Sequence, residues 1–201
     1  MANYVPLAQI DNRIVRKAQR GDPHAFTLIV RAYQVPVFNY VLRIVGDRGL
    51  AEDLTQEVFL RVFQTLPSFS FRSRFTTWLF QVTKYRVLDE VRARERRPRS
   101  TELDAVHTLG VVDAPAEQAE TIEALWRAVD QLGLDLKMAL LLRDIAGFSY
   151  NEIAEILEIT LATVKWRIYK AREEVQLTLT RQDVVSATRA EAPSATASTH
   201  R

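Results

Sequence analysis

The sequence encodes an all-α protein built as two small helical domains joined by a flexible linker. Apolar residues recur at helical spacing through residues 10–95 and again through 117–178, and no segment of useful length alternates with the period of a strand. Between these stretches, residues 96–118 hold Pro98, Ser100, Thr101, Gly110 and Pro115 without any sustained period, which is the composition of an interdomain linker. A hydrophobic content of 47% over 201 residues is ordinary for globular protein and too high for global disorder.

Residues 10–20 read as a short helix that Gly21 ends. Asp22 then caps a second helix over 23–45, with Pro23 at its first position, where the missing N–H costs nothing. Phe26, Ile29, Val30, Tyr33, Val37, Tyr40, Val41 and Ile44 supply its apolar face, and Pro36 is expected to kink or split it. After the turn 46–49, a third helix over 50–65 carries Leu50, Leu54, Val58 and Val62 as an i, i+4 stripe, with Phe59 and Phe63 beside it. Glu52, Asp53, Gln56 and Glu57 fill much of the remaining circumference. Leu66-Pro67-Ser68 ends this helix, a loop covers about 67–74, and a fourth helix spans 75–95.

The second unit opens near Glu117. Residues 135–147 form a helix of Leu136, Ala139, Leu140, Leu142 and Ile145, stopped by Gly147. Ser149 and Glu152 have the spacing of a capping box for a short helix over 150–157. The turn Glu158-Ile159-Thr160 leads to a long helix over 161–177, with Thr160 as its cap. Val164, Ile168, Ala171 and Val175 repeat at four, three and four and are expected in the core. Thr163, Lys165, Trp166, Arg167, Tyr169 and Lys170 are left outside. A short helix, a tight turn and a longer basic helix make the geometry that enters a major groove, where arginine and lysine reach base edges or phosphates. A plain helical hairpin with a charged face is the alternative. The tail 182–201, rich in Ala, Ser and Thr, is expected to be disordered.

Composition narrows the chemistry. No cysteine is present, which excludes disulfides and thiolate metal sites, and His24, His107 and His200 are too far apart in sequence to show a metal-ligand spacing. There is no phosphate-binding glycine loop and no nucleophile–base pair, so an enzyme reading is weak and no cofactor is expected. The first residues, MANYVPLAQIDNR, lack the pattern of a signal peptide, and no apolar stretch is expected to cross a bilayer, so the expected location is the cytoplasm. The net charge of +2 hides segregation: 92–99 (RARERRPR) is strongly basic, whereas 113–123 has four acids and no base. Such a basic run attracts phosphate, or is simply a solvated helix end.

The segment 67–97 sets rings beside cations. On a helical wheel Phe75, Trp78, Leu79, Val82 and Tyr85 share one sector, and Phe80, Val87 and Val91 another. Both sectors are not expected to be hidden in so small a domain. Exposed rings next to Arg72, Arg74, Lys84, Arg86 and Arg92 suit unpaired bases, because rings stack on bases and cations hold phosphates. Trp78 and Leu79 are expected in the core, while for Phe69, Phe71 and Tyr85 core and surface both remain open.

AEDLTQEVFLRVF at 51–63, FxTWLxxVxxxxVLDxxR at 75–92 and LLRDIAGFSYNEIAEILEITLATVKWRIYKAREEV at 141–175 together resemble an extracytoplasmic-function (ECF) sigma factor of bacterial RNA polymerase. The resemblance implies a division into 1–20, an N-terminal helix; 21–97, sigma region 2; 98–116, the linker; 117–178, sigma region 4; and 179–201, the tail. It implies that Asp53, Leu54, Gln56 and Glu57 dock on the clamp of the polymerase β′ subunit, with region 4 near the β flap. It implies that Phe69, Arg72, Ser73, Phe75, Lys84, Tyr85 and Arg86 melt the −10 promoter element and hold its unpaired strand. Thr163, Lys165, Trp166, Arg167, Tyr169 and Lys170 would read the −35 element as duplex. The implied partners are core RNA polymerase, promoter DNA and an anti-sigma factor, with no cofactor, no membrane insertion, and association with the nucleoid when in holoenzyme. Several positions differ from the family's usual pattern: Gly133-Leu134 stands for Leu-Pro, Glu158 lies near a usual glycine, Trp166 replaces a small residue, Tyr85 replaces a frequent asparagine, and the loop at 67–74 is short.

Two other readings compete. A two-domain helix-turn-helix regulator would bind duplex operators alone and would have no need of exposed rings at 69–97. A helical interaction protein without a DNA role would leave Lys165, Arg167 and Lys170 unexplained.

Overall fold

The computed structural model describes Leu7, residues 9–96 and residues 116–190. The linker expected at 98–116 falls almost wholly outside the described residues, as does the tail from 191 onward. Among the described residues the regular structure is helical: α1 (Asn12–Gln19), α2 (Pro23–Val45), α3 (Arg48–Thr65), α4 (Phe75–Arg96), α5 (Ala116–Asp130), α6 (Leu134–Asp144), α7 (Tyr150–Leu157) and α8 (Leu161–Ala190). A single 3₁₀ turn, Leu66–Ser68, follows α3.

Local chemistry sets most helix starts. Asp11 accepts a hydrogen bond from Arg13 N, and Asp22 accepts from His24 N and Ala25 N. Asp47 caps α3 through Leu50 N at 2.8 Å. Each such cap satisfies a donor that the helix itself leaves orphaned, a contribution of about 1 kcal/mol. Ser149 and Glu152 form the reciprocal capping box at the start of α7. Between α2 and α3 the chain turns at Gly46, whose φ of 72° is the left-handed conformation that glycine adopts without strain.

The first unit is a bundle in which α2 packs against α1, α3 and α4. Val15, Ile29, Tyr33, Val37, Val41, Leu54, Val58, Val62, Leu79 and Phe80 fill its core. Pro36 neither splits α2 nor ends it, for the helix is continuous from Pro23 to Val45. The proline removes one backbone donor, but Tyr33, Val37, Tyr40 and Val41 are buried on either side of it and hold the helix in place. The α2 segment also corrects the expectation that no stretch has the length and apolarity to cross a bilayer, since by those criteria it does. Here it lies at the centre of a helical core.

In the second unit α5, α6 and α7 pack on α8. Val164, Ile168, Ala171 and Val175 are buried there, as their spacing requires. The helix α8 runs on to Ala190, past the point where disorder was expected. No glycine or proline interrupts 161–190, and the first breaker is Pro193.

The two units also touch. Helix α4 packs on α7, and α2 meets α6. The rings of Phe80 and Phe148 meet edge to face at 4.9 Å, and the Arg43 guanidinium lies 3.3 Å from the centre of the Trp126 ring. As expected, the two apolar sectors of α4 are not both hidden: Tyr85, in the first, is half exposed. Phe80 and Val87 are fully buried, because α4 lies between its own bundle and the second unit.

Candidate nucleic-acid interface

On α3 the apolar stripe turns inward, and Asp53, Gln56 and Glu57 are left exposed on the opposite face. Leu54 is a correction to the expected docking set: it is 1% exposed and belongs to the core, so its side chain does not reach a partner. Leu60, at 58% exposure, stands beside the same polar face and carried no signal in the sequence beyond its place off the stripe. Glu57 is ion-paired with Arg86 of α4, which joins the polar face to the expected strand-binding helix.

The loop between α3 and α4 is held from below. The Gln19 side-chain amide donates to Leu66 O at 3.0 Å and to Phe69 O at 2.7 Å. Sequence reading missed Gln19, because its role depends on a contact far along the chain. Phe71 adopts a φ of 59°, which costs a non-glycine residue roughly 1–3 kcal/mol. Its ring lies 4.7 Å from that of Phe69, and the Arg16 guanidinium sits 4.1 Å over it. Phe69 in turn meets Phe75 at 5.8 Å and Trp78 at 5.0 Å. Phe69 and Phe75 are buried, so both offer a floor for the loop rather than free rings for a strand. Phe71 is partly exposed, and beside it opens a cavity of about 400 Å³ lined by Ile10, Asn12, Tyr33, Phe71, Ser73 and Phe75, among others. Arg72 and Arg74 are exposed on this loop and Ser73 is half-buried.

Further along α4, Tyr85 is half exposed, Arg86 is partly covered, and Lys84 is only 3% exposed. Lys84 is thus a second correction to a surface role, and the second unit provides the reason. Its ammonium lies 3.3 Å from the Glu158 carboxylate and 3.9 Å from the centre of the Tyr85 ring. The Tyr85 hydroxyl donates to the same carboxylate. Arg74 pairs with Glu152 at 3.1 Å, and the Gln81 amide donates to Glu155 O at 2.8 Å. The hydrogen bond from Tyr85, and then the Lys84 charge, hold the Glu158 carboxyl below its usual range. The bond to Glu158 raises the Tyr85 hydroxyl correspondingly. Burial pushes the Glu152 carboxyl up, but donors from Ser149 and Arg74 outweigh it and leave a lowered value.

On α8 the expected outward set is presented as the spacing predicts. Trp166 is 59% exposed and Tyr169 70%; Lys165 is exposed, while Thr163, Arg167 and Lys170 are half-buried. Thr160 caps the helix through Thr163 N at 3.1 Å. Arg167 is paired with Asp135 of α6 at 2.6 Å and Lys170 with Glu173 at 2.7 Å. Such pairs near the surface are weak, so these cations remain available for exchange toward phosphate. No group of three or more potential metal ligands is found among the described residues.

Comparison with known proteins adds independent findings. A family model described as Sigma-70 region 2 matches residues 29–97, and one described as Sigma-70, region 4 matches residues 122–175. The RNA polymerase sigma-H factor of Pseudomonas aeruginosa is 34% identical over 180 residues, covering 84% of this chain and 93% of that protein. The ECF RNA polymerase sigma-E factor of Escherichia coli K12 is 34% identical over 176 residues, covering 82% and 92%. Among solved structures, the sigma factor RpoE in complex with the anti-sigma factor NepR from Bartonella quintana superposes with a TM-score of 0.65 at 22% identity. It covers 77% of this chain and 96% of that one, a likeness of fold.

Proposed function

Because this chain belongs to the ECF sigma factors of the sigma-70 family, we propose that it binds core RNA polymerase, directs it to promoters with defined −10 and −35 elements, and opens the −10 region. The observation that carries this reading is one molecule with three distinct surfaces: the polar α3 face, the ring-and-cation loop before α4, and the basic outer face of α8.

Asp53, Gln56 and Glu57 are the proposed contacts to the β′ clamp, with Leu60 as an apolar centre and Leu54 as their support in the core. Arg72, Ser73, Tyr85 and Arg86 are the proposed contacts to the unpaired −10 strand. Phe69 and Phe75 support the loop, and Lys84 joins the contacts once the second unit moves away. The cavity beside Phe71 is of the size and lining suited to a base taken out of its stack. Lys165, Arg167 and Lys170 would hold −35 phosphates or guanine edges, with Thr163, Trp166 and Tyr169 against the groove wall. The covalent chemistry belongs to the polymerase. An anti-sigma factor is a proposed further partner, in line with the complex of the RpoE relative in fold.

Permanganate footprinting tests this reading. With core polymerase and this protein together, thymines of the −10 element should become reactive on a supercoiled promoter. Reactivity that does not depend on the protein would overturn the proposal.

A further inference from the structure

Helix α1 carries its cations on the side turned away from the bundle. With a residue about every 100°, Arg13, Arg16, Lys17 and Arg20 fall within one sector of roughly that width, opposite the buried Val15 and Ala18. All four are exposed, and residues 12–21 contain no acid. Asp11 and Asp22, at the two ends, are engaged as the caps of α1 and α2. Among the described residues none of these cations pairs with a carboxylate, whereas Arg48, Arg74, Arg86, Arg167 and Lys170 all do. Packing gives no account of the sector, since α1 docks through its other face.

The same helix is joined to the ring-and-cation loop. The Arg16 guanidinium sits 4.1 Å over the Phe71 ring, and the Gln19 amide holds Leu66 O and Phe69 O. The cavity beside Phe71 is lined both by Gln9, Ile10 and Asn12, where α1 begins, and by Ser73, Arg74 and Phe75. A base seated there leaves its backbone between the cations of the loop and those of α1. From Arg13 to Arg20 is about 10 Å, at about 1.5 Å per residue. Phosphates of one strand follow each other at about 3.4 Å in a duplex and further apart when the strand is drawn out, so the sector covers about two or three of them.

We infer that the cationic sector of α1 is a second phosphate track, which carries the single strand on past the nucleotides whose bases the loop and α4 take. This rests on the strand-binding reading of the loop. The ligand is unpaired nucleic acid rather than a bilayer, because the exposed residues of α1 include no large apolar side chain to enter one. Contacts to phosphate carry no sequence information. The track therefore lengthens the stretch of strand that is held without narrowing the choice of promoter.

Matched removals of charge test it. Arg13→Gln/Arg20→Gln takes two cations from α1 and substitutes a good helix former. Arg127→Gln/Arg181→Gln takes two exposed cations from α5 and α8. Each full-length protein is assembled with core polymerase, and binding of a fluorescein-labelled, 15-nucleotide single strand of mixed dA and dT is followed by anisotropy as salt rises. The α1 pair should bind at least about fivefold more weakly at low salt, with the slope of log K against log salt reduced by about 1.4, at roughly 0.7 per phosphate. The pair on α5 and α8 should match the parent within about twofold. Arg13→Lys/Arg20→Lys should match it too, because a point charge suffices for phosphate. Equal losses in the two glutamine pairs, or no loss in the α1 pair, overturns the track. Failure of the α1 pair to assemble with core polymerase also overturns it and gives the face to the polymerase. A parent holoenzyme that binds the strand no better than core alone overturns the track and the strand-binding reading together, and the sigma-factor reading is then judged separately, from promoter-selective transcripts.

Discussion

The Tyr85 hydroxyl donates a hydrogen bond to the Glu158 carboxylate, and so joins α4 of the first unit to the end of α7 in the second. Neither residue is explained by its own helix. Tyr85 is on the exposed side of α4, and Glu158 occupies a turn that favours glycine. Across the interface they form one interaction, with Lys84 beneath it.

The strain at Glu158 separates from the loss of its carboxylate. Glu158→Ala removes the carboxylate and leaves a Cβ at φ 58°, whereas Glu158→Gly removes both. The glycine variant should be more stable than the alanine variant by about 1 kcal/mol, measured by urea unfolding of the two proteins side by side. Equal stabilities would mean that the turn stores no strain.

Acid should act on the same contact. Tyr85 and then Lys84 hold the Glu158 carboxyl low, so its contribution to the contact between the units is complete above the ordinary value of 4.5 and is lost as pH falls through the lowered one. The distance between spin labels at the exposed positions Gln34→Cys on α2 and Gln176→Cys on α8 should stay constant as pH falls to the ordinary carboxylate value and lengthen below it. Glu158→Gln should show a smaller step, left by Glu152 facing Arg74. A titration identical in parent and variant contradicts the assignment.

Neighbouring residues on α3 should fail in different ways. Asp53→Arg alters an exposed side chain and should abolish binding to core polymerase with circular dichroism unchanged. Leu54→Ala opens a cavity in the core and should cost about 2–5 kcal/mol of stability. Retained polymerase binding by Asp53→Arg in a gel-filtration assay would remove that residue from the clamp contact.

Much of this is legible in the sequence. Ser149 with Glu152, Asp22 with Pro23, and the four-three-four spacing from Val164 to Val175 are local or periodic signals, and each appears in the structure as its chemistry requires. What could not be read depends on distant partners. Pro36 stays within an unbroken helix because packing on both sides outweighs one lost donor. Lys84 is covered by a unit that begins beyond the linker, and Phe80 lies between Tyr40 of its own bundle and Phe148 of that unit, of which a helical wheel of α4 alone carries no trace. Gln19 anchors a loop far along the chain through two backbone carbonyls, and glutamine at a helix end announces nothing.

Loss of Gln19 should therefore loosen that loop without unfolding the bundle. Gln19→Ala frees two carbonyls, for a cost of about 1–3 kcal/mol. Hydrogen exchange in 66–74 should quicken and promoter opening should slow, while binding to core polymerase is kept. Unchanged exchange in that loop would remove the anchoring role.

On α8, charge and ring should separate by salt and by sequence. Lys165→Ala should weaken duplex binding evenly across sequences and reduce the salt slope by about 1. Trp166→Ser should change which −35 sequences are preferred, as read by selection from a randomised duplex pool. A preference unmoved by that substitution would place the indole outside the groove.

Promoter choice by core polymerase should depend on this chain. Purified protein is added to core enzyme with a genomic promoter library, and the transcripts are sequenced. Protein-dependent start sites that share a −10 and a −35 element are the predicted result. Tight footprints of the free protein on duplex DNA, with no selectivity gained by core polymerase, would contradict it.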